Sequence, residues 1–336
     1  MTIIWALIVF SLLIIAHELG HFLVAKKSGI KVEEFAIGMG PALIKWQRGE
    51  TIYSLRALPF GGFNRLAGME GTGKDDPRGF NRQPLFKRMA VIAAGSGMNF
   101  LLAVILFVFL FMVLGIPKDV NIVGRVEPGR PADLAGLKPG DKVLAIAGVP
   151  VDSWTAMVRE IYQRPEENIT LEIERGGQRL RVTVKTERDP SSGVGMIGIG
   201  PLWERQGFWR SLHLGFSQAV AVTGMLVVSL VEMLTGKAAP EVVGPVGIVQ
   251  MVGQAASTGL ANVLSFMAVL SLDLGLINLL PIPALDGSRL VFLGWEGIRG
   301  RPIDPAKENI IHLIGFALLM GLLILITYQD LIRLFS

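Results

Sequence analysis

Residues Thr2 to Ala25 form a predominantly apolar run with one strongly polar cluster in it, Ala16-His17-Glu18-Leu19-Gly20-His21. In a bilayer a run of this length has one stable form, a helix that satisfies its own backbone hydrogen bonds. On such a helix His17 and His21, four residues apart, stack on one face a turn from each other. Two imidazoles so placed grip one metal ion, with Glu18 beside them as a candidate general base. Carrying a carboxylate into the membrane costs roughly 2.5–3.5 kcal/mol, so the cluster reads as catalytic or metal-binding. The competing reading is a structural polar cluster that holds helices together.

Further apolar runs cover 89–116, 262–280 and 310–328. With 51% hydrophobic residues and a mean hydropathy of +0.51, the chain reads as a polytopic α-helical membrane protein. Cysteine is absent, which excludes disulfides and thiolate metal sites and leaves nitrogen and oxygen as ligands. No basic stripe with interleaved aromatics points to nucleic acid. The distribution of charge is more informative. Residues 26–89 hold 12 Lys/Arg against 6 Asp/Glu, whereas 118–206 hold 13 of each. Positively charged loops stay in the cytoplasm, which puts 26–89 inside. The first helix (1–25) lacks a positive leading segment and is followed by Lys26 and Lys27, so it reads as a retained span running inward, not a cleaved signal.

Residues 26–88 are glycine-rich, with alternating segments such as 31–41 and 51–56 that predict short strands and tight turns. They suit either a small cytoplasmic β-subdomain or apolar hairpins dipping into the bilayer beside the metal helix. Gly71 to Asn81 is polar and reads as mobile. The second span, 89–116, opens with Gly95-Ser96-Gly97-Met98-Asn99. Small residues there permit close helix approach, and Asn99 is placed to hydrogen-bond across.

Residues 119–200 read as a separate α+β module: a strand at 121–126, a short helix from Pro131, a strand at 142–146, a helix over Ser153–Tyr162, and two strands (169–174, 180–185) paired across Arg175-Gly176-Gly177-Gln178. The next stretch, 207–259, opens amphipathically around Phe208, Trp209, Arg210 and His213 and is apolar from Ala219 to Leu230. It also contains Gly244-Pro245-Val246-Gly247-Ile248.

The run 262–287 ends in Asn278-Leu279-Leu280-Pro281-Ile282-Pro283-Ala284-Leu285-Asp286-Gly287. Two prolines break the helix, and Asp286 lies at membrane depth. Two histidines and one carboxylate, with water in a fourth position, are a common catalytic zinc set. Asp286 is therefore either that third ligand or a helix cap after the proline turn. For Asp286 to reach the same ion as His17 and His21, span 262–280 must run inward, as the first one does. The second span already exits, so 207–234 cannot be a lone crossing and is expected to lie peripheral or re-entrant. Span 310–328 then returns outward.

The order of HExxH in the first span, the "strand, PA-x-x-AGL-x-PGD, strand" module, Gly-Pro-Val-Gly-Ile and Asn278-Leu279-x-Pro281-x-Pro283-x-Leu285-Asp286-Gly287 resembles the site-2 protease family of intramembrane zinc metalloproteases. The regulator-of-sigma-E protease type with a single PDZ domain is the most similar branch. The resemblance covers essentially the whole chain. It implies Zn2+ bound by His17, His21 and Asp286, with Glu18 as general base. It also implies that Gly38, Met39 and Gly40 belong to a membrane-dipping β-hairpin that presents substrate, and that Asn278 contacts substrate. The fold implied is a polytopic helical membrane protein with membrane-associated β-hairpins and one extracytoplasmic PDZ-like domain. Transmembrane proteins trimmed beforehand, such as anti-sigma factors or remnant signal peptides, would be the substrates in a bacterial cytoplasmic membrane, and the module would bind a peptide or restrict access. Three positions depart from the family pattern. Asp273 stands where Asn is usual and is expected to put an extra carboxylate near the metal as a modulator. Ser96 replaces a proline, and Ser288 a glycine. Two rival readings are an inactive scaffold that works through its PDZ module and a metal transporter.

Overall fold

The computed structural model describes residues 1–69, 76–190, 192–237, 243–301 and 303–335. The chain divides into two compact units: residues 1–110 with 211–336, and residues 111–210.

The first unit begins with α1 (Thr2–Lys27), which ends where Lys26 and Lys27 meet the negative end of the helix dipole. Strands β1 (Val32–Arg48) and β2 (Thr51–Leu66) follow as one long hairpin. Residues 34–37 of β1 each have two partners in β2. Phe35 faces Asn64 on one side and Tyr53 on the other, and Ile37 faces Gly62 and Leu55. The hairpin is thus bent at mid-length and doubled over into four short segments, with 32–37 inside and 61–66 beside α1. Gly38, at φ +87°, sits at the bend, where a Cβ would lie 2.5 Å from the Leu58 carbonyl. The polar stretch 71–81 is partly outside the described residues (71–75). Its remainder, 76–82, makes a turn and a 3-10 turn whose Phe80 is buried among Ala25, Val32, Leu66 and Val91.

Helix α2 (Leu85–Val113) crosses α1 closely, because a Cβ on Gly20 would come within 2.2 Å of the Ala94 carbonyl. At its amino-terminal end Arg88 makes a two-pronged pair with Glu296, at 2.9 and 2.5 Å.

The second unit is a small α+β module. Its strands are β3 (Ile116–Pro117), β4 (Val123–Val126), β5 (Lys142–Ile146), β6 (Val149–Pro150), β7 (Asn168–Arg175), β8 (Gln178–Lys185), β9 (Glu187–Arg188), β10 (Gly195–Met196), β11 (Ile199–Pro201) and β12 (Trp203–Glu204). Its helices are α3 (Pro131–Leu134) and α4 (Trp154–Tyr162). The central sheet runs β6-β5-β7-β8, and β11 pairs with β4. Alternation puts Ile169, Leu171 and Ile173 of β7 into a core with Val143, Ile146, Met157 and Ile161. Ser153 caps α4 by accepting from the Ala156 amide at 3.2 Å. Asp141, 1% exposed, takes the Arg175 guanidinium through two bonds of 2.7 Å and the Lys138 amide at 2.8 Å. Burial pulls its carboxyl upward, but these donors outweigh that and hold it below the ordinary value of 3.8.

The chain returns to the first unit with α5 (Phe208–Leu234), α6 (Pro245–Thr258), α7 (Leu260–Leu279), α8 (Asp286–Arg299) and α9 (Pro305–Phe335). Among the described residues five helices, α1, α2, α5, α7 and α9, are long and apolar enough to cross a membrane. The chain is a multi-pass membrane protein. Helix α7 stops at Leu279, so Asp286 opens the next helix instead of closing the third span, because Pro281 and Pro283 have no N–H to continue the ladder.

Candidate zinc centre

Helix α1 carries His17 and His21 on the face that meets α2, and the turn after α7 delivers Asp286 to the same point. Oδ2 of Asp286 lies 3.1 Å from Nε2 of both histidines, and the two Nε2 atoms are 3.1 Å apart. The space is made by Gly95, where a Cβ would fall 2.4 Å from His21 Nε2 and 2.7 Å from His17 Cε1. Gly95 reads from the sequence as a helix-packing residue; its second role, as room for two imidazoles, depends on the register between α1 and α2.

The outer contacts fix which ring nitrogens face inward. His21 Nδ1 donates to the Val91 carbonyl at 2.8 Å, which leaves the Nε2 lone pair free. His17 Nδ1 lies 3.3 Å from Nδ2 of Asn99. As placed, that nitrogen can only donate to Nδ1, which would leave the His17 proton on Nε2; turning the Asn99 carboxamide over brings Oδ1, which has no partner among the described residues, to accept from Nδ1 and frees Nε2 for a metal. Asn99 is in turn placed by α7, whose Ser271 hydroxyl donates to the Asn99 carbonyl at 2.8 Å. With Asn99 in that orientation three lone-pair atoms converge, and among the described residues buried Asp286 Oδ2 has no hydrogen bond. Four ligands at about 2.0–2.1 Å from a tetrahedral zinc lie about 3.3 Å from one another. The donor set and its spacing fit that ion.

Glu18 is held by a residue that no motif announced. Asn64, in the β2 segment beside α1, donates its amide to Glu18 Oε2 and to the Glu18 carbonyl, both at 2.7 Å. Beside it Phe63 is flanked by Arg56 and Arg65, whose guanidiniums lie 4.7 and 5.6 Å from its ring. Buried Glu34 binds both arginines, at 2.7 and 3.3 Å. Burial raises the Glu34 carboxyl, but Ser54, Arg56 and Arg65 outweigh it and leave it below its ordinary value.

A cavity of about 740 Å³ opens on this centre, lined by His17, Glu18, Phe63, Asn278, Asp286 and His312 among others. Asn278 is in the wall. Gly38, Met39 and Gly40 are not in it; they sit at the hairpin bend, with Met39 half exposed. Asp273 is absent from it as well. On α7 the residues packed on α2 are Ser271 and Gly275, and Asp273 falls roughly half a turn away from that face.

Residues 5–322 match the pattern of Peptidase family M50. This chain is a member of that family. The M50 peptidase is 33% identical to the zinc metalloprotease RasP of Geobacillus kaustophilus, over 99% of this chain and 98% of that one. It is 32% identical to the regulator of sigma-W protease RasP of Bacillus subtilis, over 99% of both. Among solved structures, the PDZ domain of an SdrC-like protein from Listeria monocytogenes matches 26% of this chain and 92% of its own length, with 20% identity and a TM-score of 0.23. That score is too low to bear on the fold of the module. The M50 peptidase is an intramembrane zinc metalloprotease, and zinc is its metal; the scaffold reading is not favoured.

Proposed function

We propose that His17, His21 and Asp286 hold the zinc and that Glu18 is the general base for hydrolysis of peptide bonds within transmembrane segments. The carrying observation is the convergence of His17, His21 and Asp286 at 3.1 Å inside apolar helices, with Glu18 on the wall of the same cavity. When bound, zinc supplies a Lewis acid for the scissile carbonyl and the attacking water. Asn64 occupies Glu18 Oε2, so Oε1 is the oxygen that takes the proton from water and returns it to the leaving amine. A substrate helix hides its carbonyls in i→i−4 bonds and must unwind first. The doubled hairpin, including its Gly38-Met39-Gly40 bend, would present backbone groups to the unwound segment, and Asn278 would hold it from the opposite wall.

The substrate class is transmembrane proteins already trimmed on the outer side, of which an anti-sigma factor would be one, as the name of the Bacillus subtilis relative suggests. The module at 119–200 is read as an extracytoplasmic PDZ domain that binds a peptide or gates access, with the amino terminus outside and the zinc centre toward the cytoplasm. The packing inside the first unit supports the relative sense of the helices that this reading needs. Gly253 of α6 lies against Thr2, at the start of α1, and α7 follows α6 directly, so α7 runs in the same sense as α1. Gly215 of α5 abuts Val108, in the late part of α2. Both ends of the 207–259 stretch thus attach at the end of the bundle where α1 starts and α2 finishes, which favours a peripheral or re-entrant α5 despite its apolar length.

The test is cleavage of a transmembrane model substrate by detergent-purified protein. Glu18→Gln should lower the rate about a thousandfold while zinc content stays at one per chain, and a chelator should stop the wild type. Full activity in Glu18→Gln sinks the assignment.

A further inference from the structure

Helix α9 belongs to neither zinc motif, yet it reaches the turn that carries Asp286. Along that helix the partly or fully buried positions include His312, Gly315 and Asp330, which fall on one stripe, while most of its other positions are exposed. At Gly315 the approach is as close as backbone allows, since a Cβ would lie 2.3 Å from Pro283 Cβ and 2.7 Å from the Pro283 carbonyl. One turn earlier His312 Nδ1 accepts the Ala284 amide at 3.0 Å.

Ala284 is the weak point of the turn. It holds φ +78°, a left-handed conformation that a residue with a Cβ keeps only where its surroundings enforce it. Pro281 and Pro283 offer no N–H. The Ile282 and Leu285 amides bond within the turn, to Leu280 and Ile282, whereas the Ala284 amide is taken from outside, by the imidazole. Accepting at Nδ1 sets the ring's tautomer, with its proton on Nε2, and Phe292 of α8 holds the ring edge-on at 5.7 Å. Among the described residues buried Nε2 has no hydrogen bond, and the Glu308 carboxylate stands off at 3.7 Å.

We infer that His312 is a positioning residue for the zinc site: by accepting the Ala284 amide it locks the turn that presents Asp286. This rests on Asp286 being the third zinc ligand. The feature that matters is an acceptor at the δ position. Asn places an oxygen there, Gln places its polar group one atom further out, and Leu places none.

The experiment uses detergent-purified full-length protein carrying His312→Asn, His312→Gln, His312→Leu or Asp286→Ala. Two quantities are read: the rate of zinc release to a chelating dye, and hydrogen exchange of the 281–286 segment after zinc removal. His312→Asn should stay within about threefold of wild type in both. His312→Gln and His312→Leu should release zinc at least about tenfold faster, the usual effect of losing an outer-shell contact, and should exchange faster at the Ala284 amide without zinc. Wild-type release and exchange in His312→Leu overturn the inference, as does equal behaviour of Asn and Gln. If His312→Leu does not fold, the Asn–Gln pair decides alone, because both are polar and of similar bulk. Asp286→Ala separates the two levels: wild-type zinc retention there means that the ligand assignment itself has failed.

Discussion

The two units bury different kinds of residue. In the module the interior is aliphatic: Val143, Ile146, Met157, Ile169, Leu171 and Ile173 are all at or near zero exposure. In the membrane unit apolar side chains such as Leu318, Ile324 and Phe316 lie outward on α9, while much of what is enclosed is small or polar: Gly20, Gly95, Ser96, Asn99, Ser271, Ser288 and Asp330. Water drives the first arrangement. In a bilayer, lipid satisfies apolar surface as well as protein does, so helices meet through close backbone contact and hydrogen bonds. Hydrophobicity therefore tracks burial in the module, whereas the membrane unit, which has its own apolar core around Val32, Phe80 and Val91, also turns many apolar side chains outward.

Four substitutions test that contrast, beginning with the largest effect. Gly95→Ala should abolish both zinc retention and cleavage, because its methyl occupies the space of the His21 imidazole. Gly97→Ala, where no described residue lies within 4 Å of the added carbon, should leave both unchanged; zinc analysis and the cleavage assay read the pair. Next, Ile146→Ala should cost the module about 3–4 kcal/mol in chemical denaturation. Leu318→Ala, 70% exposed on α9, should cost less than about 1 kcal/mol. Equal costs would mean that the two units are packed by the same force.

A smaller effect is expected from Arg175→Gln, about 2 kcal/mol from the loss of charge-assisted bonds, with a distinctive pH dependence. Asp141 has a lowered carboxyl value in the folded state, so its contribution is complete above the unfolded-state value, near 3.8, and is lost as pH falls through the lower folded one. Acid unfolding of the module should shift to higher pH in Arg175→Gln, and the gap between variant and wild type should close below both values. The smallest effect is assigned to Asp273→Asn. Lying away from the α2 face, Asp273 should change the cleavage rate less than about twofold; a tenfold change would return it to the site as a modulator.

Topology has its own test in the absence of native cysteine. A single cysteine at Thr235, just beyond α5, should react with a membrane-impermeant maleimide added from outside if α5 is peripheral or re-entrant. Labelling only after permeabilisation would make it a crossing helix.

Much of the module was legible because strand alternation and turn chemistry are local: the helix capped by Ser153 and the hairpin across Gly176-Gly177 follow from neighbours in sequence. The ligand candidates His17, His21 and Asp286 were equally plain, since a charged group in an apolar run is costly and stands out. Asn64 and His312 gave no such signal. Asn64 lies in an ordinary strand 46 residues from Glu18, and His312 opens a span where an interfacial or packed histidine is the default reading. Their roles depend on a hairpin doubling back and on a terminal helix meeting a proline turn.

Sequence alone thus singled out the residues proposed for the centre, because HExxH and Asp286 are costly in apolar runs. Tertiary structure decided what surrounds those residues: Gly95 opening room for the rings, Val91 setting the His21 tautomer, Asn99 lying beside His17, Asn64 holding Glu18 and Ala284 meeting His312. Each is a contact of a few ångströms between distant segments, and hydrogen-bond geometry of that kind leaves no periodic trace in a sequence.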